Sequence, residues 1–368
     1  MKKTLFLVII AVLGLTCWAQ DSIDEALESL SKDAATAYVN PIVSAFGADL
    51  NGGWYTHAPK GKIWGIDVGL KFVFMGSFFP DDAKDFSKSG QFRFTREQAT
   101  TIVDATPSLD NISQTHKDLL IEQIMETPFT TTIAGPTIIG SSADSVSVSS
   151  DTETITIIEP LTQSSHDYNV DPYTIMLPVT GILEDFPILP SFAPQLTLGT
   201  LYGTNLVFRY VPAIEINEEL GEFSYFGWGI QHNPKVWVNK LTQFVIPVDI
   251  SISMFSQKME LGNYIEATAF MVGANVSKTI GGAFLNITPY GGLSLESSKM
   301  KFAYQVELDP LSLIDTQPID ISFEIEGENS ARLTVGLNLH LGVFDFNADF
   351  NMAKYNSFTT GFGMGFTF

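Results

Sequence analysis

The feature that most constrains the fold of this chain is a two-residue alternation of apolar and polar side chains through its C-terminal half, residues 195–368. In residues 331–343 the odd positions are apolar and most even positions are polar, and residues 344–352 repeat the alternation with the parity reversed. Because successive side chains of a strand point to opposite faces, this pattern predicts antiparallel strands with one apolar and one polar face.

The composition of the two faces separates a membrane barrel from a soluble sheet. The polar positions carry mainly Gly, Asn, Ser and Thr, and only 17% of the whole chain is charged, whereas Phe occurs 28 times. A sheet in water normally presents Lys and Glu, so these faces suit a lumen on one side and lipid on the other. We therefore predict an all-β, antiparallel transmembrane β-barrel of about 12–14 strands. An exported, soluble β-sandwich binding module is the alternative.

Tyrosine and tryptophan near strand ends fit the aromatic girdle of such a barrel. The expected girdle residues are Tyr210, Trp228, Trp237, Tyr290, Tyr304 and Tyr355. The alternation also predicts lumen-facing polar side chains at Arg332, Asn338, His340, Asp345, Asn347 and Asp349.

The last segment of the chain resembles the closing-strand signal of bacterial outer-membrane barrels. Phe362, Phe366 and the terminal Phe368 fall on one face, opposite glycine and threonine. This resemblance implies recognition by the barrel-assembly machinery. It makes that machinery and outer-membrane lipid the expected partners.

The N-terminus has the features of a secretory signal. Lys2 and Lys3 precede an apolar stretch at residues 5–15, and we predict a signal peptide at 1–19 with cleavage after Ala19. A membrane anchor, or a lipoprotein lipidated at Cys17, is the alternative. The signal predicts export to the bacterial cell outer membrane.

The rest of the chain divides into a helical segment and a barrel. Residues 20–47 are expected to form a short helix that breaks at Asn40-Pro41 and a hatch segment, and residues 48–368 the barrel, with further strands at 62–75 and 91–95. Residues 96–194 lack the alternation and are expected to be a long irregular insertion, a loop or subdomain, with a helix near 114–125.

No catalytic or metal-binding pattern is present in the sequence. The five histidines are scattered without a partner motif, and the alternate acids and amides from Asp345 lack the glycine and the closing glutamate of a calcium loop. The 41 acidic residues against 20 basic ones exclude a nucleic-acid partner. We expect no enzyme activity, no cofactor and no bound metal.

Three segments together resemble the long-chain fatty-acid transporter family of outer-membrane barrels, especially its divergent relatives in the Bacteroidota. They are residues 38–41 before the first strand, the strand end at 227–232, and the closing hairpin at 354–368. The resemblance implies about fourteen strands, a hatch folded inside the barrel, and passage of small hydrophobic molecules. The hatch residues it implies are Asn40, Pro41, Phe46 and Gly47.

A channel or transporter for small, hydrophobic molecules is accordingly the first functional prediction. The alternative membrane function is a structural or interaction barrel that anchors a surface or secretion partner, with the long insertion as its binding element.

Overall fold

A computed structural model describes residues 24–106, 109, 112–151, 153–158, 164–170, 172–217, 221–237, 247–306 and 319–367. The predicted signal peptide and Phe368 lie outside these residues.

The described elements follow one another along the chain in this order. The N-terminal part contains α1 (Asp24–Leu50), β1 (Trp64–Phe78), β2 (Asp85–Phe92), α2 (Arg96–Ala105), α3 (Gln114–Glu126), β3 (Phe129–Pro136), β4 (Ser147–Ser150), β5 (Glu153–Ile158), β6 (Ser165–Val170) and β7 (Tyr173–Met176). The C-terminal part contains β8 (Ile188–Leu201), β9 (Thr204–Asn217), β10 (Gly221–His232), β11 (Asp249–Leu261), β12 (Ile265–Ser277), β13 (Ile280–Gly281), β14 (Leu285–Val306), β15 (Ile319–Glu326), β16 (Ala331–Leu341), β17 (Phe344–Met352) and β18 (Ser357–Thr367).

The chain forms two compact units. Of the described residues, those up to Pro41 and those of Asp81–Asp185 make up the inserted unit, and those of Ile42–Pro80 and from Phe186 onward make up the barrel unit. The insertion therefore begins before residue 96 and ends before residue 194, the bounds expected from the sequence. Residues 188–194 belong to a barrel strand, β8, whose prolines hide the alternation.

The barrel unit is built on one antiparallel sheet that closes on itself. Within the described residues, ten strands form the ring, in the order β1, β8 to β12, β14, β16, β17 and β18, and the last of these pairs back with β1. The short β13 and β15 pair with β14 and bring the sheet to twelve strands. The predicted all-β antiparallel barrel is confirmed, and its closure rules out the β-sandwich alternative.

We define an upper and a lower end of the ring from the ends of β1 and β8. The upper end is where β1 finishes at Phe78 beside Ile188, and the lower end is where β1 begins at Trp64 beside Leu201. Along β1 the outward side chains from Trp64 to Phe74 are all apolar and exposed. Ten residues at ~3.3 Å each, tilted by ~40°, give an apolar band ~25 Å tall, the height that a membrane barrel presents to lipid.

Two of the expected girdle residues are buried and do not face lipid. Tyr290 and Tyr355 are 4% and 1% exposed, so they do not contact lipid. On β14 the even positions face inward, which places Tyr290 in the lumen beside Asp349. Tyr210, Trp228 and Trp237 are exposed on the outside, whereas the side chain of Tyr304 lies outside the described residues.

Helix α1 runs through the expected break at Asn40-Pro41 and ends only at Leu50. Proline in a helix interior removes one backbone hydrogen bond, a cost that packing must offset. Here Tyr38, Val43, Ala45 and Ala48 are almost fully buried, and their packing maintains the helix on both sides of Pro41. None of the described helices combines the length and apolar character needed to cross a membrane.

The inserted unit is ordered, not irregular. β2, β3, β4 and β7 form a four-stranded antiparallel sheet, and β5 pairs with β6. The strand predicted at 91–95 overlaps the end of β2 and so belongs to this sheet, not to the barrel. The predicted helix at 114–125 is confirmed as α3, which buries Leu120 and Ile124 in a core of its own with Phe129.

We predict that Leu337→Lys destabilises the folded barrel by ~2–4 kcal/mol in phospholipid vesicles, because it places a charge midway along an outward face. The fraction that migrates as the folded, unheated band on a gel measures the change. Leu337→Met is the matched control. In a barrel that functions in water, Lys at this half-exposed position would change stability little, and that result would contradict the membrane assignment.

Candidate functional site

The lumen of the barrel unit is occupied by the chain itself. We call residues 42–60 the plug segment: the last turns of α1 followed by an irregular stretch that leads to β1. Ala45, Ala48, Trp54 and Ala58 in this segment are at most 2% exposed. Inward-facing wall residues are buried as well, such as Thr359 at 0%, so these parts of the wall do not line an open aqueous channel.

Arg209 of β9 is the centre of the contacts that hold the plug segment. Its guanidinium donates from Nη1 to the Leu50 carbonyl at 3.1 Å and from Nη2 to the Gly52 carbonyl at 2.6 Å. It also lies 4.0 Å from the centre of the Trp54 ring. The carbonyls at the end of a helix lack partners within the helix, so a buried cation at this position both satisfies them and complements the helix dipole.

Gln195 and Tyr225 complete the surroundings of Arg209. The Arg209 Nε donates to Gln195 Oε1 at 3.0 Å, and the Gln195 amide donates in turn to the Trp54 carbonyl at 3.2 Å. The Tyr225 hydroxyl donates to Gln257 at 2.5 Å and accepts a longer contact from Arg209 at 3.5 Å. The arginine is fully buried, and this network orients its donors towards the plug segment.

A second buried arginine, Arg332 of β16, binds α1 two residues before its C-terminal end. Its Nη2 donates to the Ala48 carbonyl at 2.6 Å, and its Nε lies 2.9 Å from a carboxylate oxygen of Glu296. Both side chains of this ion pair are 1% exposed. Removing either partner would leave an uncompensated charge inside the barrel, which is strongly destabilising.

Asp49 lies between these contacts, near the C-terminal end of α1. Its carboxylate accepts a hydrogen bond from the Ser77 hydroxyl at 2.6 Å, and it is fully buried. This hydrogen bond joins the end of α1 to β1 of the barrel wall.

Aromatic packing fills the middle of the lumen. The Trp54 ring stacks on Phe255 with centroids 4.8 Å apart, and Tyr55 meets Tyr290 edge-on at 6.1 Å. Gly227 leaves the space for Trp54, because a Cβ there would lie 2.8 Å from the indole ring. The middle of the barrel therefore has a packed hydrophobic core in place of an aqueous passage.

The lower part of the plug segment meets a polar wall. The His57 Nε2 lies 3.0 Å from Asp67, whose carboxylate also accepts a hydrogen bond from Asn205. Below this point Ala58 N donates to Ser277 at 2.9 Å, and the Pro59 carbonyl accepts from Asn233 at 2.5 Å.

The residues expected to face the lumen lie on the inward face, but they form more than one cluster. Arg332 holds the plug segment, whereas Asp349 accepts hydrogen bonds from Tyr290 and Asn351. His340 and Asn338 both contact Asp345 near the lower end. Asn347 is buried on the same face.

The expected hatch residues are divided between the two units. Phe46 and Gly47 lie in the plug segment, and Gly47 approaches β14 so closely that a Cβ would lie 1.9 Å from the Ser298 hydroxyl oxygen. Asn40 and Pro41 belong to the inserted unit. Phe362 and Phe366 face outward on β18, each 46% exposed.

Arg209 was missed by the sequence analysis, although a signal for it exists. In residues 205–210, Asn205, Val207 and Arg209 alternate with large apolar residues, which puts the arginine on the inward face. A lone arginine on the polar side of a strand pattern gives no indication of its partner, because that partner lies about 160 positions earlier in the chain.

One seam of the barrel wall is incomplete. β8 and β9 pair from Leu201–Thr204 up to Gln195–Arg209, and above this point both strands continue without pairing with each other. Each keeps its other neighbour, since β8 pairs with β1 as far as Ile188 and β9 pairs with β10 as far as Asn217. The free edges carry three prolines, Pro190, Pro194 and Pro212. Proline has no N–H to donate and occurs in sheets mainly on edge strands.

A closed ring with an apolar exterior and an occupied lumen defines the class of plugged, membrane-spanning β-barrels. The chain belongs to a family of unknown function, DUF6588, whose model matches residues 1–366. No curated protein matches the chain significantly. The family match does not support the resemblance to the long-chain fatty-acid transporters or an origin in the Bacteroidota.

Several solved outer-membrane proteins are weakly similar in structure. A loop L8 deletion mutant of OmpT from Vibrio cholerae is 8% identical with a TM-score of 0.23, over 82% of this chain and 98% of that one. The β domain of the Bordetella autotransporter BrkA is 9% identical with a TM-score of 0.25, over 82% and 99%. The translocator domain of NalP from Neisseria meningitidis is 9% identical with a TM-score of 0.20, over 92% and 98%. At these scores the barrel assignment rests on the ring of strands itself.

We predict that Arg209→Met loosens the plug segment. Losing two hydrogen bonds from a charged donor lowers the free energy of local opening by ~3 kcal/mol, which is about a 100-fold increase in the open population. The reporter is Ala58→Cys, a position 2% exposed, and maleimide labelling of the folded protein measures the opening. Arg93→Met, at an exposed position of the inserted unit, is the control. Unchanged labelling in the Arg209 variant would refute the role of this arginine.

Proposed function

We propose that this protein is an outer-membrane transporter for small hydrophobic molecules in which the route passes through the barrel wall between β8 and β9. Two observations together carry the proposal: the lumen is occupied, and the upper half of the seam between β8 and β9 is unpaired. We call this upper half the half-seam. A molecule that moves between the lumen and the membrane must pass through the wall when the axis is blocked.

The contacts of the plug segment argue against an axial pore. Two buried arginines, Arg209 and Arg332, bind three of its carbonyls, and Trp54 and Tyr55 pack in the core of the barrel. Opening the axis would break all of these contacts together. The native protein should therefore conduct ions poorly.

The wall can open at the half-seam with the fewest broken backbone hydrogen bonds, because β8 and β9 are not paired there. An unpaired N–H or C=O in hydrocarbon costs several kcal/mol, and prolines on a free edge reduce the number of unpaired N–H groups. Pro190, Pro194 and Pro212 lie along these edges, with the exposed side chains of Phe192 and Tyr210 on the outer surface beside them. An apolar border of this kind favours a hydrophobic solute over an ion.

The location and partners belong to the same proposal. The apolar exterior favours insertion into a lipid bilayer, and the N-terminal signal favours export to the bacterial outer membrane through the barrel-assembly machinery. The proposal includes no catalytic step. Within the described residues, no group of three His, Cys, Asp or Glu side chains could hold a metal ion.

A structural observation also favours the anchoring function. The inserted unit has its own core around Leu120, Ile124 and Phe129, as a domain that binds a partner would need. In that case the closed barrel serves only as its membrane anchor.

We predict that the triple variant Pro190→Thr, Pro194→Thr, Pro212→Thr takes up oleate about tenfold more slowly than the native protein. Three restored N–H donors, each contributing ~0.5–1.5 kcal/mol, extend the β8–β9 ladder and hold the wall closed. Uptake of labelled oleate by cells that express each protein measures the effect.

Pro289→Thr is the matched control, because Pro289 lies on β14 opposite Leu337 in the unbroken ladder between β14 and β16. Single-channel recordings in planar bilayers should show that the native barrel stays near the conductance of bare lipid. Oleate uptake no faster than in cells lacking the protein would contradict transport and leave the anchoring function. A steady conductance of the native barrel would contradict the closed axis.

A further inference from the structure

The order of contacts along the plug segment gives its direction through the barrel. Its first contacts are at the upper end, where Ser44 Oγ accepts from Glu328 N at 3.1 Å, just before β16 begins. Its last contacts are at the lower end, where Ala58 meets Ser277, the final residue of β12. The chain therefore enters the lumen at the upper end, passes through the ring and leaves at the lower end before β1 begins.

The connections to the inserted unit leave the barrel at the same upper end. β1 finishes there at Phe78, whose N–H donates to the carbonyl of Asn356 in the turn between β17 and β18, and β8 starts there at Ile188. The upstream half of α1 continues from Ile42, also at this end. The barrel unit therefore has the ends of its three chain connections, Ile42, Phe78 and Ile188, at one end of the ring.

The inserted unit gives independent support, because it contains both chain segments. Residues 24–41 and the described residues of 81–185 belong to one compact unit. The Tyr38 hydroxyl donates to the Thr180 carbonyl at 2.8 Å, and Ile138 N donates to the Tyr38 carbonyl at 3.0 Å. Segments that pack together in this way must lie on the same side of a membrane.

The lengths of the connections indicate which side this is. Membrane barrels of bacteria have short periplasmic turns and longer external loops. At the lower end β8–β9 and β16–β17 are joined by turns of two residues, 202–203 and 342–343, and the longest connection, between β10 and β11, is residues 233–248. At the upper end β9–β10 and β11–β12 are joined by short turns, 218–220 and 262–264, but residues 79–187 connect β1 to β8 and β14 and β15 extend past β16 as a long hairpin. The upper end, which has by far the longest connection of the ring, is therefore the external end.

We infer that the barrel is threaded by its own N-terminal segment, so that the upstream half of α1 and the inserted unit are displayed together on the cell surface. Residues 42–60 cross the membrane inside the ring, and the described residues before them, 24–41, are external although the first barrel strand starts at the periplasmic end. The protein is then a self-threaded surface-display barrel, and this inference holds whether or not the wall transports a solute.

Single-cysteine labelling tests the inference directly, because Cys17 is the only cysteine and lies within the predicted signal peptide. The variants are Lys32→Cys in α1, Asp82→Cys at the start of the insertion and Lys278→Cys below β12, all at exposed positions. The probe is a membrane-impermeant biotin maleimide, applied to intact cells and to lysed cells.

We expect Lys32→Cys and Asp82→Cys to be labelled as fully in intact cells as in lysed cells, and Lys278→Cys to be labelled only after lysis. Folded gel mobility is checked for each variant, and Asp33→Cys replaces Lys32→Cys if that variant does not fold. Labelling of Lys278→Cys alone in intact cells would overturn the orientation. Labelling of Asp82→Cys without Lys32→Cys or Asp33→Cys would overturn the threading. Neither result depends on oleate uptake, so it is distinguishable from a failure of the transport proposal.

Discussion

The binding of plug-segment carbonyls by two buried arginines is the interaction on which the barrel unit depends. A ten-stranded ring is wider than the eight-stranded barrels whose own side chains fill the interior, so it must hold either water or another part of the chain. Arg209 and Arg332 favour filling by the chain, because each arginine needs several hydrogen-bond acceptors and the end of α1 supplies them. The same contacts satisfy helix carbonyls that would otherwise be buried without donors.

This interaction also explains why the lumen can be both polar and closed. The wall presents side chains typical of a water-filled channel, yet those near the plug segment bond to its backbone and not to solvent. Polar contacts of this kind fix the register of the segment along the axis, and the aromatic packing of Trp54 supplies apolar burial.

Much of the fold could be predicted from the sequence, because strand periodicity is local. Residues 331–352 alternate strictly, and the structure has strands with that orientation there. Prediction failed where the chain departs from a simple pattern. The prolines of β8 concealed a barrel strand, and Pro41 suggested a break that packing overrides. Tyr290 was assigned to the girdle as a residue near a strand end, although it shares the inward face of β14 with the polar even positions.

The sequence by itself determined the antiparallel all-β class, the apolar exterior and the polar interior, since each follows from which face a side chain occupies on a strand. Only the tertiary structure decided that the lumen is filled, that Arg209 meets Leu50 and Gly52, and that the β8–β9 seam stops at Gln195. These features join residues far apart in the chain. Long-range contacts depend on ring closure and on the path of the plug segment, and neither leaves a periodic trace in the sequence.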